Sequence, residues 1–184
     1  MVAVDVDLKA LVNEARAGEP GAWDALFQRY QLPLYTYVYE LVREEQASLD
    51  IVQETFINAV RHLASLREER KFGSWLFGIA HQKCLQLWRR HHRAPLWVEE
   101  DLSASAPDPG PDPAECLLRA EQEERFLALL ERLSTPHREV LLLHFVEDFS
   151  IEEISAITGT PPGTTKSRLH YAKEQLRKLL EEET

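Results

Sequence analysis

Cysteine is scarce in this chain. The two present among 184 residues, Cys84 and Cys116, are too few and too isolated for a disulfide framework or a zinc site. His81 and Cys84 stand three apart and can share a helix face, but no second ligand pair lies nearby, so no metal is expected. Long apolar runs are missing as well: none approaches the roughly 20 residues that span a bilayer. The N-terminal stretch MVAVDVDLKALVNEA is acidic where a secretory signal would be basic. These absences predict a cytoplasmic protein with no membrane insertion. There is no Gly-rich phosphate loop, no nucleophile–base spacing and no carboxylate pair in an apolar setting. Neither a catalytic residue nor a cofactor is therefore expected, and the chain is not expected to be an enzyme. Sustained strand-type alternation is also lacking, and the apolar residues recur throughout at helical spacing, which predicts an all-α fold.

Positive charge is in deficit, with a formal net charge of −10. That balance opposes binding to phosphates, until its distribution is considered. Residues 61–93 hold eight basic and two acidic side chains, and residues 166–178 hold five and one. The acidic remainder is left to face solvent or a basic partner. Two basic islands in an acidic chain point to two contacts with nucleic acid.

The second island lies in SIEEISAITGTPPGTTKSRLHYAKEQLRKLL, residues 150–180. Ser150 and Glu153 form a capping box for a short helix with Ile151, Ile154 and Ile157 on one face. Gly159 permits the left-handed residue that ends such a helix. Thr160 is placed to cap the next helix, with Pro161 at its first position. Leu169, Leu176, Leu179 and Leu180 make that helix's buried stripe. Thr164, Thr165, Lys166, Ser167, Arg168, His170, Tyr171 and Lys173 are left for its other faces. A short helix, a turn and a long basic helix make a helix-turn-helix, whose second helix enters the DNA major groove. A helical hairpin with a solvated charged face is the competing reading.

Helices are predicted over 5–17, 21–42, 46–64 and 72–92, with Pro33 a kink or short break in the second. Residues 94–114, APLWVEEDLSASAPDPGPDPA, then carry five prolines, one glycine and five carboxylates. Such a composition forms neither helix nor sheet and reads as an extended acidic linker. Helices over 115–133 and 136–147 follow, the latter capped by Ser134 or Thr135. The organisation predicted is two small helical domains, 1–93 and 115–184, joined by the 94–114 linker, with the helix-turn-helix in the second.

In the first basic island, FGSWLFGIAHQKCLQLWRRHHR, Ser74 is placed to cap a helix with Leu76, Ile79, Ala80 and Leu87 inward. Phe72, Trp75, Phe77 and Trp88 are interleaved with Lys71, His81, Lys83, Arg89, Arg90 and Arg93. Rings beside cations suit single-stranded or melted DNA, at about 1–3 kcal/mol per stacked base. The same rings also suit the core of a small helical domain. In DIVQETFINAV, residues 50–60, Ile51, Val52, Phe56 and Val60 are predicted inward and Asp50, Gln53, Glu54 and Asn58 outward. That outer face either grips a basic partner helix or is simply wet, and charge alone favours the wet reading.

Taken together, these segments resemble the extracytoplasmic-function (group IV) sigma factors of the bacterial sigma-seventy family. DIVQETFINAV is similar to the family's core-polymerase motif DLVQETFLRAW. FGSWLFGIAHQKCLQLWRR is similar to its F-x-x-W-L-x-x-I-A-x-N helix. The stretch from LSTPHREVLLLHF through GTTKSRL is similar to its second domain, L-P-x-x-x-R-E-V-x-x-L through G-T-V-K-S-R-L. The resemblance implies a promoter-specificity subunit that initiates transcription of a stress- or signal-responsive regulon. Asp50, Gln53, Glu54 and Phe56 would make or support the contact with the RNA polymerase core. Lys71, Trp75, Phe77, Gln82, Lys83, Gln86, Arg89 and Arg90 would meet the opened −10 strand. Thr164, Thr165, Lys166, Ser167, Arg168, His170, Tyr171 and Lys173 would meet the −35 duplex. An anti-sigma partner is also implied, and the linker carboxylates Glu99, Glu100, Asp101, Asp108 and Asp112 would imitate RNA phosphates near the transcript path. The chain departs from the pattern at Gln82 (usually Asn), Gln86 (often Asp or Asn), Thr165 (usually Val), Tyr171 (usually Arg) and Ala47 (often acidic). A stand-alone helix-turn-helix regulator, dimeric on palindromic DNA, is the alternative; it accounts for residues 150–180 but not for FGSWLFGIAHQKCLQLWRR.

Overall fold

Asp7 opens the first described helix by accepting the Lys9 amide at 3.0 Å, and Gly18, at φ 78°, closes it after Ala17. The computed structural model describes residues 7–91 and 128–182. The expected 94–114 linker, Arg93, Cys116 and most of the helix expected at 115–133 lie outside those residues. By compactness the chain divides into two units, Met1–Pro95 and Leu96–Thr184. Among the described residues every regular element is helical.

The first unit contains α1 (Leu8–Ala17), α2 (Ala22–Val42), α3 (Glu45–His62) and α4 (Phe72–His91). Two short 3₁₀ turns, Leu63–Ser65 and Glu69–Lys71, connect α3 to α4. Pro33 lies inside α2, which is assigned as one helix from end to end. It ends at Arg43, in the left-handed region at φ 58°, with the guanidinium paired to Glu40 and set 5.8 Å from the Tyr39 ring. Glu44 caps α3 by accepting the amides of Gln46 and Ala47. Helices α2, α3 and α4 pack on one another around Leu26, Leu34, Tyr37, Val52, Phe72, Leu76, Phe77 and Cys84. Arg16 ties α1 to the connection between α3 and α4, donating to Glu69 at 2.8 Å and to the Leu66 carbonyl at 2.9 Å. That hydrogen bond and charge hold the Glu69 carboxyl below the usual range.

Ser74 does not cap α4. The helix grows directly out of the preceding 3₁₀ turn, and the buried Ser74 hydroxyl donates back to the Lys71 carbonyl at 3.2 Å. Val60, expected inward, is 53% exposed. Ile51, Val52, Thr55, Phe56 and Ala59 already fill the buried side of α3, so Val60 falls outside that arc.

The second unit is helical at 128–131, followed by α5 (Thr135–Leu141), a π-helical turn (Leu142–Val146), α6 (Ile151–Thr158) and α7 (Pro162–Glu182). Ser134 precedes α5 without a side-chain capping bond, and Pro136 occupies its first turn. The buried Arg138 guanidinium donates to the carbonyls of Leu130, Glu131 and Leu133, fastening α5 to the helix end before it. His137 meets Gln175 at 3.0 Å, linking α5 to α7. Leu141, Leu142, Leu143, Ile154, Ile157, Leu169, Ala172 and Leu176 form the core. The expected capping box is formed in full by Ser150 and Glu153, and Gly159 ends α6 at φ 69°.

Just before α6, burial pushes the Glu147 carboxyl from 4.5 up to about 7. A carboxyl raised by folding favours the folded state fully below its unfolded pKa, and that contribution is lost as pH rises through about 7. At pH 8 Glu147 should therefore cost the second unit about 2–3 kcal/mol relative to pH 4. Urea unfolding of wild type and Glu147→Gln across this range measures it. The glutamine variant is expected to lose the drop, and an unchanged pH slope would refute the assignment.

Candidate nucleic-acid interface

On α7 Thr165, Ser167, Leu169, Ala172 and Leu176 are buried, and 165, 169, 172 and 176 form one inward stripe. This corrects two expectations, since Thr165 and Ser167 were to face DNA. Thr165 has no exposed surface, and its hydroxyl lies 2.8 Å from that of Thr160. The Ser167 hydroxyl is turned back onto the Thr164 carbonyl at 3.0 Å. Both side chains are short enough to satisfy their one polar group locally, and Thr165 does so on the side of α7 that faces the core. The helix also starts one residue later than expected, at Pro162. The Pro161 carbonyl receives the Thr165 amide, and the Thr160 hydroxyl is engaged by the hydroxyls of Thr158 and Thr165 rather than accepting from an orphan amide.

Outside that stripe, Lys166 is exposed and Thr164, Arg168, His170, Tyr171 and Lys173 are half-buried. Lys173 lies 4.7 Å over the Phe145 ring of the π-helical turn, so packing already engages it. His170 sets its ring edge-on to Tyr171 at 5.5 Å and comes within 3.9 Å of Glu174. Pro161, Pro162 and Gly163 are exposed beside Thr164 at the start of α7. The outward groups in the first two turns are thus Thr164, Lys166 and Arg168.

On α4, Phe77 is a core residue and not a stacking platform. It is 0% exposed, with its ring 5.2 Å from Tyr37, whose hydroxyl meets His81 at 3.1 Å. Trp75 and Trp88 are half-buried, and Trp75 packs on Phe72 at 5.9 Å. Gln82, Gln86, Arg89 and Arg90 are exposed. Trp75, Ile79, Gln82, Gln86 and Arg89–Arg90 recur at spacings of three and four, so they share one helix face with an indole at one end and two cations at the other. Lys71 stays at the surface, paired to Glu68 at 2.8 Å. Lys83 flanks that face, four residues after Ile79 and three before Gln86, but it is already engaged. Its side chain is only 14% exposed and donates to Glu54 of α3 at 2.6 Å. The hydrogen bond and charge of Lys83, with Arg90 beyond, hold the Glu54 carboxyl below its usual range.

On α3, Asp50, Gln53 and Glu54 are exposed as expected, and Phe56 lies beneath them, 4.8 Å from the ring of Phe27. Sequence reasoning missed that Leu49, Ile57 and Val60 are exposed around Gln53. Their spacing of 49, 53, 57 and 60 puts all four on one outward stripe, the signal that identifies them. Among the described residues there is no group of three or more His, Cys, Asp or Glu able to hold a metal ion. None of the described helices is long and apolar enough to cross a membrane.

Known proteins match both units. The family model for Sigma-70 region 2 matches residues 26–94, and that for Sigma-70, region 4 matches residues 123–176. The chain is 30% identical to the ECF RNA polymerase sigma factor SigL of Mycobacterium tuberculosis, over 94% of this chain and 97% of that protein. It is 29% identical to the RNA polymerase sigma factor CarQ of Myxococcus xanthus, over 91% of this chain and 94% of that one. Among solved structures, it is similar to the sigma factor RpoE of Bartonella quintana, crystallised with the anti-sigma factor NepR. The TM-score is 0.61 at 26% identity, covering 85% of this chain and 97% of that one.

Proposed function

The chain belongs to the sigma-70 family and is an extracytoplasmic-function sigma factor, the promoter-specificity subunit of bacterial RNA polymerase, and from that premise we propose how its two units divide the work. The first unit docks on the polymerase core through Asp50, Gln53 and Glu54, with Phe56 supporting them from beneath and Leu49, Ile57 and Val60 adding apolar area. It presents Trp75, Gln82, Gln86, Arg89 and Arg90 to the opened −10 strand, where the indole stacks and the cations follow phosphates. The second unit sets α7 in the major groove of the −35 duplex. There Lys166 and Arg168 serve phosphates or guanine edges, and Thr164 serves a phosphate. The observation that carries this reading is that one family match falls on each unit, and each unit has an outward helix face of suitable chemistry.

The work is done in the cytoplasm without chemistry of the protein's own. An anti-sigma partner restrains it by covering these faces; the similar RpoE of Bartonella quintana forms a complex with the anti-sigma factor NepR. A stand-alone helix-turn-helix regulator leaves the region 2 match and the α4 face without a purpose.

Run-off transcription tests the reading. Core polymerase plus this protein should yield a start site that core alone does not, whereas the free protein should bind the same duplex weakly at physiological salt. Its net charge of −10 repels phosphate, and the core supplies the fixed spacing that makes two small grips act together. Tight promoter binding without core would contradict this account.

A further inference from the structure

The turn between α6 and α7 must fix the direction in which α7 leaves, yet its backbone contributes little to that task. Pro161 and Pro162 have no amide to donate. The Gly159 amide stays with Ser155, inside the end of α6, and the Thr165 amide stays with Pro161, inside the start of α7. Side chains bridge the two. Ser155 donates its hydroxyl to the Thr160 carbonyl. Thr158 donates to the Ile154 carbonyl at 2.9 Å, Thr158 and Thr160 hydroxyls lie 2.8 Å apart, and Thr160 and Thr165 hydroxyls lie 2.8 Å apart.

Each hydroxyl has one proton, which fixes the direction of this chain. Thr158 spends its proton on Ile154, so Thr160 must donate to Thr158, and Thr165 must donate to Thr160. The first turn of α7 is thus tied, through three hydroxyls in series, to a carbonyl inside α6. The tie ends at a residue with no exposed surface, directly before Lys166. We propose that Thr165 and Thr160 are positioning residues: their hydroxyl chain sets the angle of α7 and so the aim of Lys166 and Arg168 at the −35 duplex. The proposal rests on the function given above. Groups that read a duplex must be held to within about half an ångström and 10–20° of their working geometry, a tolerance that a loose turn exceeds.

The isosteres separate positioning from packing. Thr165→Val keeps the volume and loses the donor. Thr165→Ser keeps the donor and loses a buried methyl, so it should be the less stable of the two. The full-length variants are compared by urea unfolding, and with core polymerase by run-off transcription on promoters with an intact or scrambled −35 element. Thr165→Val should lose about five- to tenfold of that discrimination, while Thr165→Ser retains it despite lower stability. Thr160→Val should lose at least as much, because it strands the buried Thr165 proton. Adding Thr165→Val to it should cost no more, since both act through one bond. Wild-type discrimination in Thr165→Val, or discrimination that simply follows stability across the series, would overturn the proposal. If wild type gave no promoter-dependent product, the function above would fail instead. The hydroxyl chain would then be judged on the α6–α7 angle, from residual dipolar couplings of the full chain. That angle should shift in Thr165→Val and hold in Thr165→Ser; an unmoved angle in both overturns it.

Discussion

Replacing Phe77 with alanine is expected to destabilise the first unit by about 3–5 kcal/mol, a large part of what holds any small domain together. The ring has no exposed surface, sits against Tyr37, and is surrounded by a core shared among α2, α3 and α4. Truncation leaves a cavity there and removes the wall that sets Tyr37 against His81. Urea unfolding followed through Trp23, Trp75 and Trp88 should show the loss, and Phe77→Leu should recover most of it, because nearly equal volume is tolerated. The competing reading, in which Phe77 stacks on an unpaired base, predicts normal stability and a loss of strand binding worth about 1–3 kcal/mol. A Phe77→Ala variant that unfolds like wild type but no longer holds the −10 strand would sink the burial assignment. Trp75 is the contrasting case. It is half-buried at the head of the outward face, so Trp75→Ala should cost strand binding more than stability.

The difference between Phe77 and Trp75 marks what can be learned from a sequence of this kind. The capping box at Ser150–Glu153 and the left-handed Gly159 were legible because they depend on residues within one turn. The family was legible because long motifs fall in a fixed order. Which side of a helix a residue occupies was less so wherever chemistry was allowed to outvote spacing. Phe77 was grouped with the cations by type, though its spacing from Ala80, His81 and Cys84 puts it on the buried side of α4. Thr165 was grouped with Lys166 by polarity, though 165, 169, 172 and 176 trace one inward stripe of α7. A buried threonine also needs a partner for its hydroxyl, and the partner, Thr160, lies across a turn whose geometry no periodicity specifies. Lys83 had the same difficulty. Its partner Glu54 is 29 residues away on another helix, and only the packing of α3 on α4 brings them together.

Substituting Lys166 and Arg168 together with alanine is expected to reduce −35-dependent initiation by about a hundredfold, while leaving binding to core polymerase unchanged. Lys166 is exposed in the first turns of α7, and Arg168, two residues on, is half-buried, so neither substitution opens the core. A side chain bidentate to a guanine edge is worth about 1–3 kcal/mol, and one on a phosphate weakens binding at every sequence. Two such losses together give roughly the factor stated. The salt dependence distinguishes the roles: removing two phosphate contacts should flatten the slope of log affinity against log salt by about two. Removing a base contact should instead narrow the gap between correct and scrambled elements. Lys173→Ala should have a smaller effect, because its ammonium already lies over Phe145. The residues proposed for the core contact belong to α3, in the other unit, so pull-down of core polymerase by the double variant should match wild type. Loss of that interaction would mean that the second unit also grips the polymerase, and the division of labour proposed between the two units would have to be withdrawn.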